Sequence, residues 1–237
     1  MHQETLTYQA DGLTMRSRLL FEPAPGPRAG VLVFPEAFGL DDHTTARAER
    51  LAALGYVSLA CDLHGEGRVV GDLQEAMTQL QPLFDDPMRT RARALGALQA
   101  LAARPEVDSE RIVAIGFCFP MSLELARSGA EIRAAVGFHT SLATKAPAAD
   151  PGAIKARVLV CIGTEDPFIP ANHRAGFESE MRNTGADWQM NLYGRTVHSF
   201  SNPEAVKRNM PEAIRYSPES DARAWASALD LFGRVLG

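Results

Sequence analysis

Residues 111–128 read Arg-Ile-Val-Ala-Ile-Gly-Phe-Cys-Phe-Pro-Met-Ser-Leu-Glu-Leu-Ala-Arg-Ser. Arg111–Gly116 is an apolar run of strand length, and Ser122–Ser128 has the spacing of a helix. Only Phe117–Met121 separate the two, so the chain must turn sharply from strand into helix. A run that is apolar at consecutive positions buries both faces, as strands do in a parallel sheet covered by helices.

Working outward, the same alternation recurs. Strand Gly30–Pro35 is followed by helix Asp42–Leu54, which Gly55 closes, and then by strand Tyr56–Cys61. Leu73–Leu83 and Arg89–Ala103 are helical in period. Strands Arg133–Phe138 and Arg157–Ile162, helix Ala171–Asn183, strand Trp188–Leu192 and helix Ser220–Leu236 complete the series. Ahead of it, Thr5–Tyr8 and Leu13–Phe21 alternate apolar and polar residues around Asp11-Gly12, which predicts an antiparallel hairpin. The expectation is an α/β chain with a mostly parallel central sheet, helices on both faces and an N-terminal antiparallel edge. No repeat or linker interrupts it, and Thr144–Gly152 reads as a surface excursion, so residues 1–237 are taken as a single domain.

Bulk properties narrow the function. The 237 residues are 46% hydrophobic with a net charge of −5 and no basic stripe, which argues against a nucleic-acid partner. The longest apolar runs are far short of a membrane span. Met1-His2-Gln3-Glu4 opens no basic-then-apolar leader, so no signal peptide is expected. Three cysteines without a CxxC spacing fit a reducing, cytoplasmic setting, with Cys61 and Cys161 as small buried hydrophobes.

In open sheets of this kind function gathers beyond the carboxyl ends of the strands. Those ends carry Glu36-Ala37-Phe38-Gly39, Asp62-Leu63-His64-Gly65-Glu66-Gly67, Phe117-Cys118-Phe119-Pro120, Gly163-Thr164-Glu165-Asp166-Pro167 and Val197-His198-Ser199-Phe200. The segment at Cys118 resembles a nucleophile elbow with cysteine in the serine position. A thiol there points into the crevice near a helix N-terminus, which favours a thiolate. Such a nucleophile needs a base and an orienting acid, and the order Cys118, Asp166, His198 supplies nucleophile, acid and histidine as α/β-hydrolases order them. The backbone N–H groups of Phe119 and Ala37 are the expected oxyanion donors.

Taken together, Pro-Glu-Ala-Phe-Gly at 35–39, Asp-Leu-His-Gly at 62–65, Gly-Phe-Cys-Phe at 116–119, Gly-Thr-Glu-Asp-Pro at 163–167 and Val-His-Ser-Phe at 197–200 resemble the dienelactone hydrolase family over nearly the whole chain. The resemblance implies an α/β-hydrolase fold and a Cys118–His198–Asp166 triad, with Glu36 as a fourth participant that governs ionisation of the thiol. It implies hydrolysis of small lactones or activated esters, like a carboxymethylenebutenolidase, in a cytoplasmic monomer or small homo-oligomer. No cofactor and no metal is implied. His139, Ser199 and Phe38 are the expected substrate contacts.

Two departures from the family pattern stand out. After Cys118 about two residues of the usual glycine-rich turn are missing, and Pro120 takes their place. After His198 there is no arginine to receive a substrate carboxylate, which leaves Arg195, Arg89 and Arg91 as substitutes. Single residues also have plainer readings: Cys118 as a buried thiol, His198 as a surface loop residue, Asp166 as a turn former before Pro167 and Glu36 as a loop cap. His43, His64 and Glu66 match no metal spacing, and Gly65 and Gly67 fit no phosphate-loop pattern. The competing functions are a weakly active or non-catalytic relative that binds ligands, and a peroxide-sensing thiol.

Overall fold

The computed structural model describes residues 1–237. In chain order the elements are β1 (His2–Ala10), β2 (Leu13–Phe21), β3 (Arg28–Phe34), α1 (Asp42–Ala53), β4 (Val57–Ala60), α2 (Leu73–Asp85), α3 (Pro87–Ala102) and β5 (Val107–Phe117). There follow α4 (Met121–Arg127), β6 (Ala134–Phe138), β7 (Arg157–Gly163), α5 (Ala171–Thr184), β8 (Trp188–Tyr193), a 3₁₀ helix (Pro203–Arg208) and α6 (Pro218–Leu236). The eight strands form one sheet in the order β1-β2-β4-β3-β5-β6-β7-β8. β1–β2 and β2–β4 pair antiparallel, and every later pair is parallel. This is the mostly parallel sheet with an antiparallel edge that the apolar runs predict.

The consecutive apolar residues of the central strands divide between two cores. On β5, Ile112 and Ala114 join Leu80, Leu101, Leu125 and Phe177 under α2–α5. Val113, Ile115 and Phe117 face Leu51, Trp225 and Phe232 of α1 and α6. Alternate side chains of a strand point to opposite faces, so both faces demand apolar residues.

Several element boundaries differ from expectation: β1 begins at His2 rather than Thr5, α2 runs on to Asp85 and α6 begins at Pro218. β5 begins at Val107, because Val107 and Asp108 pair with Arg28 and Ala29 although the following Ser109 and Glu110 are polar and exposed. α3 starts at Pro87, where the Asp86 carboxylate accepts the Met88 N–H and proline fits the first turn. The 3₁₀ helix was not anticipated. Asn202-Pro203 followed by Glu204 carries the signature: Asn202 Oδ1 accepts the Glu204 N–H at 2.9 Å.

Charges are buried where helices meet. Arg127 on α4 bonds Glu180 on α5 at 2.8 Å, Glu124 at 2.9 Å and the Leu142 carbonyl at 2.8 Å. Arg91 on α3 holds the other oxygen of Glu124 at 2.8 Å, and the Ala148 N–H donates to Glu180. One guanidinium therefore ties α4, α5 and the β6–β7 connection together. Replacing Arg127 with Met leaves Glu180 buried without its cation and Glu124 with Arg91 alone, at an expected cost of about 3–5 kcal/mol. Urea denaturation of Arg127→Met checks this, and an unchanged midpoint would contradict it.

Candidate active site

The strand ends converge at the carboxyl edge of the sheet. A cavity of about 330 Å³ opens there, lined among others by Glu36, Ala37, Phe38, Cys118, Phe119, His198, Ser199 and Arg208. Most of its remaining wall is apolar and includes Leu73, Met77, Leu80, Phe84, Phe168 and Ile214.

At Cys118 the chain leaves β5 with φ 60°, a left-handed value that costs a residue with a side chain free energy and that gathers at functional sites. The end of β6 and the loop that follows it enforce it. The Cys118 N–H donates to Phe138 O at 3.1 Å, and the Ser141 N–H donates to Cys118 O at 2.8 Å. His139 and Ser199 also take left-handed backbones, with φ 39° and 51°. Beyond the thiol, the Phe119 N–H turns back onto Phe117 O at 2.6 Å and the Met121 N–H onto Phe119 O at 2.9 Å. The Phe119 N–H, an expected oxyanion donor, is thus engaged within its own turn. The Ala37 N–H, by contrast, donates to no group of the protein.

His198 is 6% exposed and stands between Cys118 and Asp166. Its Nδ1 donates to Asp166 Oδ2 at 2.7 Å, while Asp166 Oδ1 accepts the Phe168 N–H at 2.9 Å. A carboxylate only accepts, so the proton sits on Nδ1 and Nε2 is left for the sulfur. Burial pushes the imidazolium down, but the neighbouring Cys118 and the bond to Asp166 outweigh it and raise the histidine to about 10. The loops that carry the acid and the histidine are joined by Thr164 N–H to Tyr193 O at 2.9 Å and Glu165 N–H to Thr196 O at 3.0 Å. Gly163 permits this approach, because a Cβ there would lie 2.2 Å from Thr196 O.

Glu36 is 3% exposed. Its Oε2 accepts the Asn202 Nδ2–H at 2.6 Å, and its Oε1 has no hydrogen-bond partner. Burial raises this carboxyl, partly offset by the bond from Asn202, with Asp41 adding to the rise and Ser199 and His198 opposing it. Phe38 and Ser199 line the cavity.

His139 does not line the cavity. It is fully buried, 2.8 Å from Ser201 Oγ and 3.8 Å from Glu36 Oε1. Burial and the charge of His198 keep it neutral, so it belongs behind the site rather than against substrate. The three substitute cations are also corrected. Arg89 is bound to Asp11, Arg91 to Glu124 and the Ala146 carbonyl, and Arg195 is exposed away from the cavity. The cation that does line it is Arg208, lying 3.3 Å from the ring centre of Phe38. It sits ten residues past His198, at the end of the unanticipated 3₁₀ helix, so no short motif announced it.

The remaining strand-end residues build the scaffold. His64 Nε2 lies 2.9 Å from the carbonyl of Ala37, a contact that positions the Glu36–Ala37 loop. Glu66 pairs with Arg16, and His43 contacts the carbonyl of Ser201. Gly65 and Gly67 wrap a side chain rather than a phosphate: Asp62 accepts the N–H groups of Arg16, His64, Gly65 and Gly67.

Comparison with known proteins agrees with this architecture. The profile of the dienelactone hydrolase family matches residues 16–236. The chain belongs to the dienelactone hydrolase family. The solved structure m3DLH is 43% identical and superposes with a TM-score of 0.94 over 100% of this chain and 99% of its own. A dienelactone hydrolase-like promiscuous phosphotriesterase from metagenomic libraries is 38% identical, with a TM-score of 0.93 over 100% and 99% of the two chains. A Yersinia pestis protein provisionally named carboxymethylenebutenolidase is 26% identical over 219 residues, 87% of this chain and 78% of its own. This member of the family is thus a hydrolase with the α/β-hydrolase fold. No helix in it is long and apolar enough to cross a membrane.

Since His198 is raised, the stability it contributes is fully present below its ordinary value of 6.5 and is lost as pH climbs through about 10. Cys118→Ala and Asp166→Asn should each bring the titration of the His198 ring down from that value. NMR of the ring protons checks this, and an unmoved titration in both variants contradicts the arrangement.

Proposed function

We propose that this dienelactone hydrolase family member cleaves small lactones or activated esters with Cys118 as nucleophile, His198 as base, Asp166 as orienting acid and Glu36 as the group that governs thiol ionisation. The observation that carries the reading is the Asp166–His198 bond of 2.7 Å beside a cysteine held in a strained turn at the cavity floor. With substrate bound, Glu36 takes the Cys118 thiol proton, the sulfur attacks the carbonyl carbon and the carbonyl electron pair moves to oxygen while His198 is held as the imidazolium. The Ala37 N–H receives that oxyanion, joined by Phe119 as its turn opens. Collapse of the adduct forms the acyl-thioester and expels the alkoxide, which takes a proton from His198. Water then gives a proton to His198 and attacks the acyl carbon, the acid is released as the C–S bond breaks, and Glu36 returns its proton to the sulfur. A thiolate leaves more readily than an alkoxide, so esters with good leaving groups are favoured over amides.

The apolar wall supports an uncharged body for the substrate, and Arg208 supports one negative group at its edge. A second reading follows from the phosphotriesterase relative: the same thiolate attacking phosphorus in an apolar aryl phosphotriester.

Cys118→Ala should lower p-nitrophenyl acetate hydrolysis at least about a thousandfold, with His198→Ala similarly impaired. Steady-state kinetics decide it, and near-wild-type turnover by Cys118→Ala would sink the assignment. Arg208→Gln should raise KM roughly tenfold or more for an ester bearing a carboxylate and leave a neutral aryl ester nearly unchanged. Equal effects on both substrates would show that Arg208 does not read charge. Assays with paraoxon test the second reading.

A further inference from the structure

We propose that Asn202 is a positioning residue for Glu36, a neutral donor that holds the carboxyl in place and tunes when it can take the thiol proton. This rests on the role given above to Cys118 and Glu36.

The amide is oriented by its own surroundings. Asn202 Oδ1 is occupied by the Glu204 N–H at 2.9 Å, so Nδ2 is the end that faces Glu36 Oε2 at 2.6 Å. Asn202 is 1% exposed, and its own N–H donates to Ser199 O at 3.0 Å. Water cannot readily replace a donor buried this deeply, so removing it leaves the carboxylate short of a partner. The amide also joins two parts of the cavity. One end caps the 3₁₀ helix that brings Ala205 and Arg208 to the wall, and the other grips the carboxyl that lines the floor.

The other polar groups that face Glu36 are accounted for. Asp41 at the start of α1 opposes its ionisation; His198 and Ser199 from the loop after β8 favour it. His139, at the end of β6, lies 3.8 Å from Oε1 and is neutral. Cys118 shares the cavity floor, and the charge of Arg208 falls on Asp41. Asn202 is the closest donor in this set. A donor to the charged form favours ionisation and works against the burial of Glu36.

The test uses the whole protein and two variants that keep an acceptor for the helix cap. Asn202→Ser retains a capping side chain but cannot span to Glu36. Asn202→Asp keeps the shape and sets a second carboxyl against the first, so that the pair must share a proton. The readouts are the pH dependence of Cys118 alkylation by iodoacetamide and of p-nitrophenyl acetate hydrolysis. The rising limb that Glu36→Gln abolishes should move up by about one to two pH units in Asn202→Ser, and further in Asn202→Asp. In a Glu36→Gln background neither substitution should move the profile.

A uniform loss of rate with the limb unmoved would overturn the proposal, as would an equal shift in the Glu36→Gln background. Failure of the underlying reading looks different: wild-type protein whose ester turnover does not depend on Cys118, or whose limb survives Glu36→Gln. Either result overturns both.

Discussion

Between Phe117 and Met121 the chain must leave a strand buried on both faces and enter a helix within three residues. The backbone meets that demand by taking a left-handed conformation at Cys118, the residue whose thiol the turn lifts out of the sheet. Such a turn is unfavourable by itself for a residue with a Cβ. It persists because hydrogen bonds to Phe138 and Ser141 fix both sides of it. The strands that build the core thus also hold the strain at the cavity floor. Pro120 suits the compressed turn, since it brings no N–H that would need an acceptor.

Behind the cavity a second constraint operates. Arg47 on α1 reaches both carboxylate oxygens of Asp221 on α6 at 2.8 and 2.9 Å, bonds the Ser201 carbonyl and lies over Trp225. Ser201 passes the linkage to His139, which in turn faces Glu36. Polar groups buried this deeply are costly unless partnered, so the chain from α6 to the cavity resists displacement as a unit. The loop that carries His198 is pinned in the same way, through Ala213 and Arg215. The imidazole is thereby held at the cavity beside Cys118 by elements distant in sequence.

Reading the chain by hydrophobic period recovers the order of strands and helices, because burial on two faces leaves little freedom in composition. The strand-end motifs are legible for a related reason. The carboxyl ends of parallel strands lie along one edge, so the segments that carry Cys118, Asp166, His198 and Glu36 all start there. Side chains that reach in from irregular segments are a different matter. Arg208 comes from a helix whose position depends on the Asn202 cap, and Arg89 and Arg91 are diverted by Asp11 and Glu124. His139 has a strand-end position like the others, yet its ring turns inward to Ser201.

The amino-acid sequence by itself therefore determined the layered sheet, its antiparallel edge and the convergence of one cysteine, one histidine and two carboxyls. These follow from local period and from the direction of parallel strands. Only the tertiary structure decided which hydrogen-bond donors remain free, which cation meets the cavity and what partners Glu36. Those outcomes depend on contacts between residues up to 166 positions apart, such as Asn202 and Glu36, and on a turn that spends the Phe119 N–H on its own chain. The thiol at residue 118 could be located from its strand. What surrounds it was set by packing.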